Sequence, residues 1–513
     1  MIPVYLALLI FAVPVVTILY YPIALLFLRA LGDTTLVKLL SIIPWEVVLF
    51  TYSQALVSSI GSVLIGSFLA VFFHETDFWG KRYLARICEI TFFLPSILVV
   101  LSLVGVWGSR GWLGRWGLGQ SLYGWPGILL AHVFFNFSLV FKTVGQTLSE
   151  IDRTEEKVAL SLGASRWYVF FNVTWIKLRS AVLQSSILVF LFCSSSFLII
   201  LMLGGGPRFN SLETAIYQAV KIDLDIPVAV SLAVLQLVVC FVVQLAYKPK
   251  AVFSKVSQGS AQWKLFPQQK SFIRWAVVVL VWLTIFSQVI LPLMNLTLSG
   301  MKGLTTCNWI DLGMAILRSL DLGIRVALVS TLISFCAAYG VRHSNHSFLN
   351  AMVHFTCTLP IALSTMVLGL AITIAFSQAD WLRETWWAVV CVQSLSVLPM
   401  GFRIFNESFS RIEVEIYRTL ESLGAKKHLQ LFYFEFPYLK RTLALVLVTG
   451  LGVSLGESGA VMLFESQAKT TLPLWLFKLM GKYQFEEAQA VGVVLLALTL
   501  IIFGLREKWQ SSN

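Results

Sequence analysis

The sequence predicts an all-α polytopic membrane protein of about 12 transmembrane helices, arranged as two homologous six-helix halves. Three observations carry that prediction. Of 513 residues, 58% are hydrophobic and only 12% charged, with a mean hydropathy of +0.81. A soluble chain of this length needs far more surface charge. Apolar runs long enough to cross a bilayer recur from end to end. Finally, one charged, glycine-broken stretch is written twice, at Glu155–Lys177 and at Glu415–Lys440.

The first half, residues 1–246, opens on the apolar run Ile2–Leu28. It lacks a basic n-region and exceeds a signal-peptide core, so it reads as a retained first helix. Further spans are expected at Val47–Phe73, Cys88–Trp107, Gly127–Phe141, Ala181–Leu203 and Pro227–Ala246. Residues 247–274 are polar and basic, with Lys248, Lys250, Lys255, Lys264, Lys270 and Arg274, and read as a cytoplasmic linker. The second half, 275–513, repeats the plan with spans at Trp275–Leu298, Asp321–Gly340, Met352–Phe376, Thr385–Phe402, Thr442–Phe464 and Ala488–Phe503.

The glycine-broken stretches lie near 152–180 and 410–441. Each begins as a helical run, with Val158 and Leu162 in the first and Ile416, Leu420 and Leu423 in the second. Each run stops at Leu-Gly-Ala, where Gly163 or Gly424 can take the left-handed conformation that closes a helix. Asp152 with Glu155, and Ser410 with Glu413, have capping-box spacing. Shifting the chain by the Gly163–Gly424 separation sets Ser138 on Pro399, Phe141-Lys142 on Phe402-Arg403 and Ile151-Asp152 on Ile412-Glu413. That unbroken register indicates duplication, a common plan for transporters.

The net charge of +12 does not point to nucleic acid. Lys and Arg concentrate in alternate loops, the pattern that sets membrane orientation, rather than along one recognition helix. With the amino terminus inside, the cytoplasmic loops hold Lys81, Arg82, Arg86, both repeated stretches, the linker, Arg342, Arg506 and Lys508. The seven cysteines are dispersed, without CxxC pairs or metal spacing, and read as packing residues. There is no GxxxxGK[ST], no HExxH, and no nucleophile-and-base set. No catalytic residue, metal site or cofactor is therefore expected, and any ATP used in transport must be hydrolysed by another chain. Gly204-Gly205-Gly206-Pro207 reads as a tight turn.

Those absences make the repeated loops the natural docking points. Trp167, Phe170 and Phe171 in one, and Leu429, Leu431 and Phe432 in the other, form apolar surface rimmed by charge, as at a partner groove. The alternative is an amphipathic helix lying on the membrane. Both loops resemble the EAA loops of ABC importer permeases, in which helix, glycine turn and helix couple to ATPase subunits. Gly163, Ala164, Trp167 and Phe170, then Gly424, Ala425, Phe432 and Pro437, carry the likeness. The consensus glutamate is replaced, since Lys157-Val158-Ala159 and Arg418-Thr419-Leu420 stand at its position; Phe436-Pro437 keeps part of the closing motif and Trp175-Ile176 does not.

Beyond the loops the chain is similar to the fused two-half thiamine-transport permeases of that class. The stretches concerned are Arg110-Gly111-Trp112-Leu113, Gly127 to Asn136, Leu203 to Pro207, Glu213 to Ala219 and Thr471-Leu472-Pro473. The resemblance implies an inner-membrane permease importing thiamine, with its phosphates as further candidates. Its implied partners are two copies of a cytoplasmic ABC ATPase, a periplasmic substrate-binding protein and membrane lipid. A fused ferric-iron permease shares the architecture and stays open as an alternative. An ion-coupled secondary transporter is disfavoured by the scarcity of intramembrane charge.

Three residues are candidates for the translocation path. His132 and Asn136 lie one turn apart on one face of the fourth span; they line the pathway or serve as interhelical hydrogen-bonding glue, the preferred reading. Gln236 and Gln393 read as glue too. Glu457 falls within the eleventh span, where an ionised carboxylate costs about 2.5–3.5 kcal/mol on insertion scales. It either balances a passing cation or holds the bundle, with the structural role preferred; its repeat equivalent is Ser196.

Overall fold

The computed structural model describes residues 2–33, 43–109, 111–116, 122–246, 272–305, 307–344, 346–379, 381, 386–464 and 470–511. Residues 247–271 of the expected linker, together with Arg110, lie outside them. All regular structure among the described residues is helical. Among the described residues ten helices are long and apolar enough to cross a membrane, and two bent pairs bring the number to twelve if each pair is one span.

The Trp45–Glu75 helix shows why these are membrane helices. Its face bearing Thr51, Gln54, Ser58 and Ser62 is buried, whereas Leu49, Leu56, Ile60, Leu64 and Phe68 are exposed. Water would invert that distribution; hydrocarbon outside and hydrogen-bonded polar groups inside produce it.

Four expected spans differ from the observed ones. The third is not one helix but Lys81–Phe93 and Ser96–Trp107, bent by 115°; the ninth is Ser347–Ile361 and Thr365–Ala375, bent by 107°. At the first break Pro95 has no N–H to donate and holds Leu94 in an extended conformation. At the second, Ser364 caps the new helix, its Oγ accepting from the N–H groups of Met366 and Val367. The fifth and eleventh spans begin earlier, at Arg166 and Lys427, and end earlier, at Ser194 and Gly456. Short separate helices follow, Leu198–Leu203 and Gly459–Leu463.

The duplication is visible in backbone detail. π-helical turns occur at Val16–Tyr20 and Phe286–Ile290, each in the first long helix of a half. Others occur at Phe170–Thr174 and Gln430–Glu435, each just after a glycine turn. Even the non-glycine residues with positive φ, Leu224 and Tyr483, sit at matching turns.

The chain forms two compact units that do not coincide with the sequence halves. One comprises Met1–Pro44, Leu212–Phe241 and Gly300–Asn513, the other Trp45–Ser211 and Val242–Ser299. In the first, the Trp309–His343, Trp387–Ser410 and Phe436–Gly456 helices form the centre, and a Cβ at Gly450 would stand 3.1 Å from Ala327 Cα. In the second, Trp45–Glu75, Trp125–Glu150 and Trp175–Ser194 do the same, with Gly66 so close to Val140 that a Cβ would lie 2.6 Å from it. Small residues at such crossings let helix backbones approach where lipid offers no hydrophobic drive.

Candidate functional site

Both Leu-Gly-Ala turns close their helices in the same way. Gly163 and Gly424 have φ of +88° and +76°. Gly163 N–H donates to Leu160 O and Ala164 N–H to Ala159 O; Gly424 and Ala425 donate likewise to Glu421 O and Leu420 O. This is the Schellman pattern, and it turns the chain sharply into the next helix. The expected capping boxes do not form. Asp152 instead accepts from the Thr154 N–H and hydroxyl, which hold its carboxyl below the usual range. Glu155 pairs with Lys177, and Ser410 donates to Glu407 O. Helix entry is set by these local turns because Ser, Thr and Asp side chains compete for nearby backbone groups.

The helix faces read as apolar stripes are turned outward. Leu162 is 82% exposed and Leu423 77%, with Val158 and Ile416 exposed beside them. Trp167, Tyr168 and Phe171 are exposed in the first loop; Leu429, Phe432 and Tyr433 are exposed in the second. Phe170 and Leu431 are half-buried, and Pro437 is exposed at the start of the helix after its π turn. Trp167 stacks on Phe171 with ring centroids 6.2 Å apart. Each loop therefore presents a rigid aromatic surface next to charge, such as the Lys427–Glu421 pair, in which the ammonium holds the carboxyl below its ordinary range.

Underneath, the loops are anchored by different chemistry at equivalent positions. In the first, the buried Glu156 accepts from Arg153 at 2.6 Å and from Thr174 at 2.6 Å, while Arg153 also reaches Glu75 at 3.0 Å. In the second, Tyr417 stands where Glu156 does and Glu435 where Thr174 does. His343 meets Glu435 at 2.6 Å, and the Arg342 guanidinium lies over the Tyr417 ring and donates to Ile412 O. The acid has moved from the first helix of the loop to its far end. Burial and the Glu435 charge push the Tyr417 phenol up from its usual value. The sequence reading missed both anchors, although Glu435, an acid inside the apolar run Leu431–Tyr438, was a usable signal for the second.

His132 and Asn136 are buried among the three central helices of their unit. His132 Nδ1 lies 3.3 Å from Ser58 Oγ, and Asn136 Nδ2 donates to His132 O and, at 3.4 Å, to Cys193 Sγ. His132 Nε2 and Asn136 Oδ1 have no hydrogen-bond partner among the described residues.

Glu457 is not inside a helix. It is the extended residue (φ −89°, ψ 125°) between Phe436–Gly456 and Gly459–Leu463, and it is half-buried. Its carboxylate accepts from Thr365 Oγ1 at 2.9 Å, Gln393 Nε2 at 3.1 Å, and the N–H groups of Gly459 and Ala460. Gln393 is the repeat equivalent of His132, and its carbonyl accepts from Ser454. A second acid, which sequence reasoning did not single out, lies in the same unit. Glu213, in the first turn of Leu212–Lys221, is wholly buried and accepts from Ser364 Oγ at 2.6 Å and from Gln236 Nε2.

Ten apolar helices and two bent pairs among the described residues, with two matched glycine-turn loops, are the features of a transport-system permease. The chain belongs to the binding-protein-dependent transport system inner membrane components, whose family model matches residues 62–248 and again 330–507. It is a multi-pass inner membrane protein of a transport system. Over 483 residues it is 29% identical to the thiamine transport system permease protein ThiP of Haemophilus influenzae, covering 91% of this chain and 89% of that one. To the protein of the same name from Escherichia coli it is 28% identical over 485 residues, 91% and 90% of the two chains. A shorter likeness, 29% over 192 residues, covers 37% of this chain and 71% of a putative 2-aminoethylphosphonate transport system permease protein, PhnV, of Salmonella typhimurium.

Proposed function

We propose that this chain is the transmembrane subunit of an ATP-driven importer that carries thiamine from periplasm to cytoplasm. The observation that carries the reading is the extent of the likeness to thiamine permeases, which runs through about nine-tenths of both chains instead of one half. Two loops of one design, each offering exposed aromatics beside a rigid glycine turn, support two copies of a cytoplasmic ATPase, one per loop. Orientation follows the basic loops inward, with a soluble binding protein delivering solute outside. The two sequence halves joined through 247–274 are read as the two permease modules.

Uptake of radiolabelled thiamine by a permease-deleted strain carrying this chain tests the reading, with ferric iron and thiamine phosphates as competitors. Restored uptake competed by excess thiamine and not by iron is the expected result. Iron uptake without thiamine uptake would replace the reading with the fused ferric-iron permease.

A further inference from the structure

Two acids of one unit, the wholly buried Glu213 and the half-buried Glu457, meet at the break of the bent pair Ser347–Ile361 and Thr365–Ala375. The consecutive residues Ser364 and Thr365 give one hydroxyl each, to Glu213 and Glu457 respectively. The remaining donors are amide and backbone N–H groups. Among the described residues, neither carboxylate has a basic side chain paired with it. The unit's other buried acid differs, since Glu435 sits against His343. Nor does duplication impose these acids: Ser196 matches Glu457, and Pro473 occupies the position of Glu213 in the corresponding helix.

Gln236 adds an acceptor that no described residue satisfies. It is only 2% exposed, it donates its amide N–H to Glu213, and its carbonyl Oε1 has no hydrogen-bond partner among the described residues. That orphaned oxygen belongs to the same amide group whose nitrogen donates to Glu213. A buried acceptor left unpaired costs about 1–3 kcal/mol, and such groups stand out at functional centres. Among the described residues, two carboxylates without a counter-cation and an open acceptor form a centre that is short of positive charge and of a donor.

We propose that Glu213, Glu457 and Gln236 form a subsite for an organic cation carrying an amino group. This rests on the thiamine reading. Thiamine's thiazolium carries a permanent charge for the half-buried Glu457, and its aminopyrimidine N–H is the donor that Gln236 lacks. Glu213 and Gln236 come from the first sequence half and Glu457 from the second.

The test uses the assembled wild-type complex of permease, ATPase and saturating binding protein in proteoliposomes. It compares radiolabelled thiamine with its neutral isostere, in which thiophene replaces thiazolium. Thiamine is expected to be carried at least tenfold faster, and the ratio is expected to fall towards one in Glu213→Gln and in Glu457→Gln. A variant that slows both solutes by the same factor overturns the proposal, because a purely structural carboxylate acts on both alike. If a variant does not assemble, the wild-type complex decides alone. Thiamine, and not the isostere, should protect Glu457 from a hydrophobic carbodiimide, and equal protection or none overturns the assignment. Failure of the wild type to carry thiamine at all would refute the underlying function, and the ligand of the site with it.

Discussion

Replacing Gly424 by valine tests whether the glycine turn presents a docking helix. Gly424 has φ of +76°, and a Cβ built on it meets nothing within 4 Å. The penalty is therefore conformational, with no clash added: about 1–2 kcal/mol for an L-residue held left-handed, and more for a β-branched one. Relief comes by abandoning the turn, which rotates Leu429, Phe432 and Tyr433 away from their presented positions. At about 1.4 kcal/mol per tenfold, the docking-competent loop should fall at least tenfold in population. The turn is exposed and anchored separately through His343, Glu435 and Arg342, so thermal unfolding of the purified permease should be almost unchanged. Asparagine tolerates the left-handed region, so Gly424→Asn is the matched control. Co-purification with the ATPase and thiamine uptake should both fall for Gly424→Val and hold for Gly424→Asn. Equal ATPase retention by the two variants, or a melting temperature lowered by valine alone, would refute the reasoning.

Gly163→Val should behave alike, since its turn is equally open, and the double variant should lose ATPase altogether in a pull-down. Phe432→Ala and Trp167→Ala remove side chains that are 64% and 65% exposed; each should weaken ATPase binding in a titration while leaving the melting temperature within about 1 °C, as expected of surface substitutions. Arg153→Met leaves Glu75 and Glu156 buried without their cation and should destabilise the first loop by about 3–5 kcal/mol, read as lower protein yield and faster proteolysis there. Single cysteines at Ser161 and Asp223 should divide in intact spheroplasts, with only Asp223→Cys labelled by an impermeant thiol reagent; labelling of Ser161→Cys alone would reverse the orientation.

The membrane class, the duplication and the glycine turns were legible in the residues because each depends on local chemistry. Hydropathy reports partition into lipid, and Leu-Gly-Ala at matching places reports a left-handed helix stop whatever surrounds it. The breaks at Pro95 and Ser364 were partly legible. Proline marks a discontinuity, but apolarity alone reads two helices at 115° as one span, since lipid and protein interior select the same side chains. Glu457 stood out as a charge in an apolar run, yet its place beyond the helix end depends on donors from Thr365 and Gln393, far away in sequence.

Glu213 was beyond reach of the sequence. It opens a short helix after a glycine-rich turn, where an acid is unremarkable at a positive helix end. Only packing brings it to Ser364, 151 residues later in the chain. The compact units cut across the sequence halves for the same reason. Periodicity records which face of a helix is buried, and the burial of a face is satisfied equally by either half. Which helix covers it is decided by side-chain fit and hydrogen-bond pairing in three dimensions.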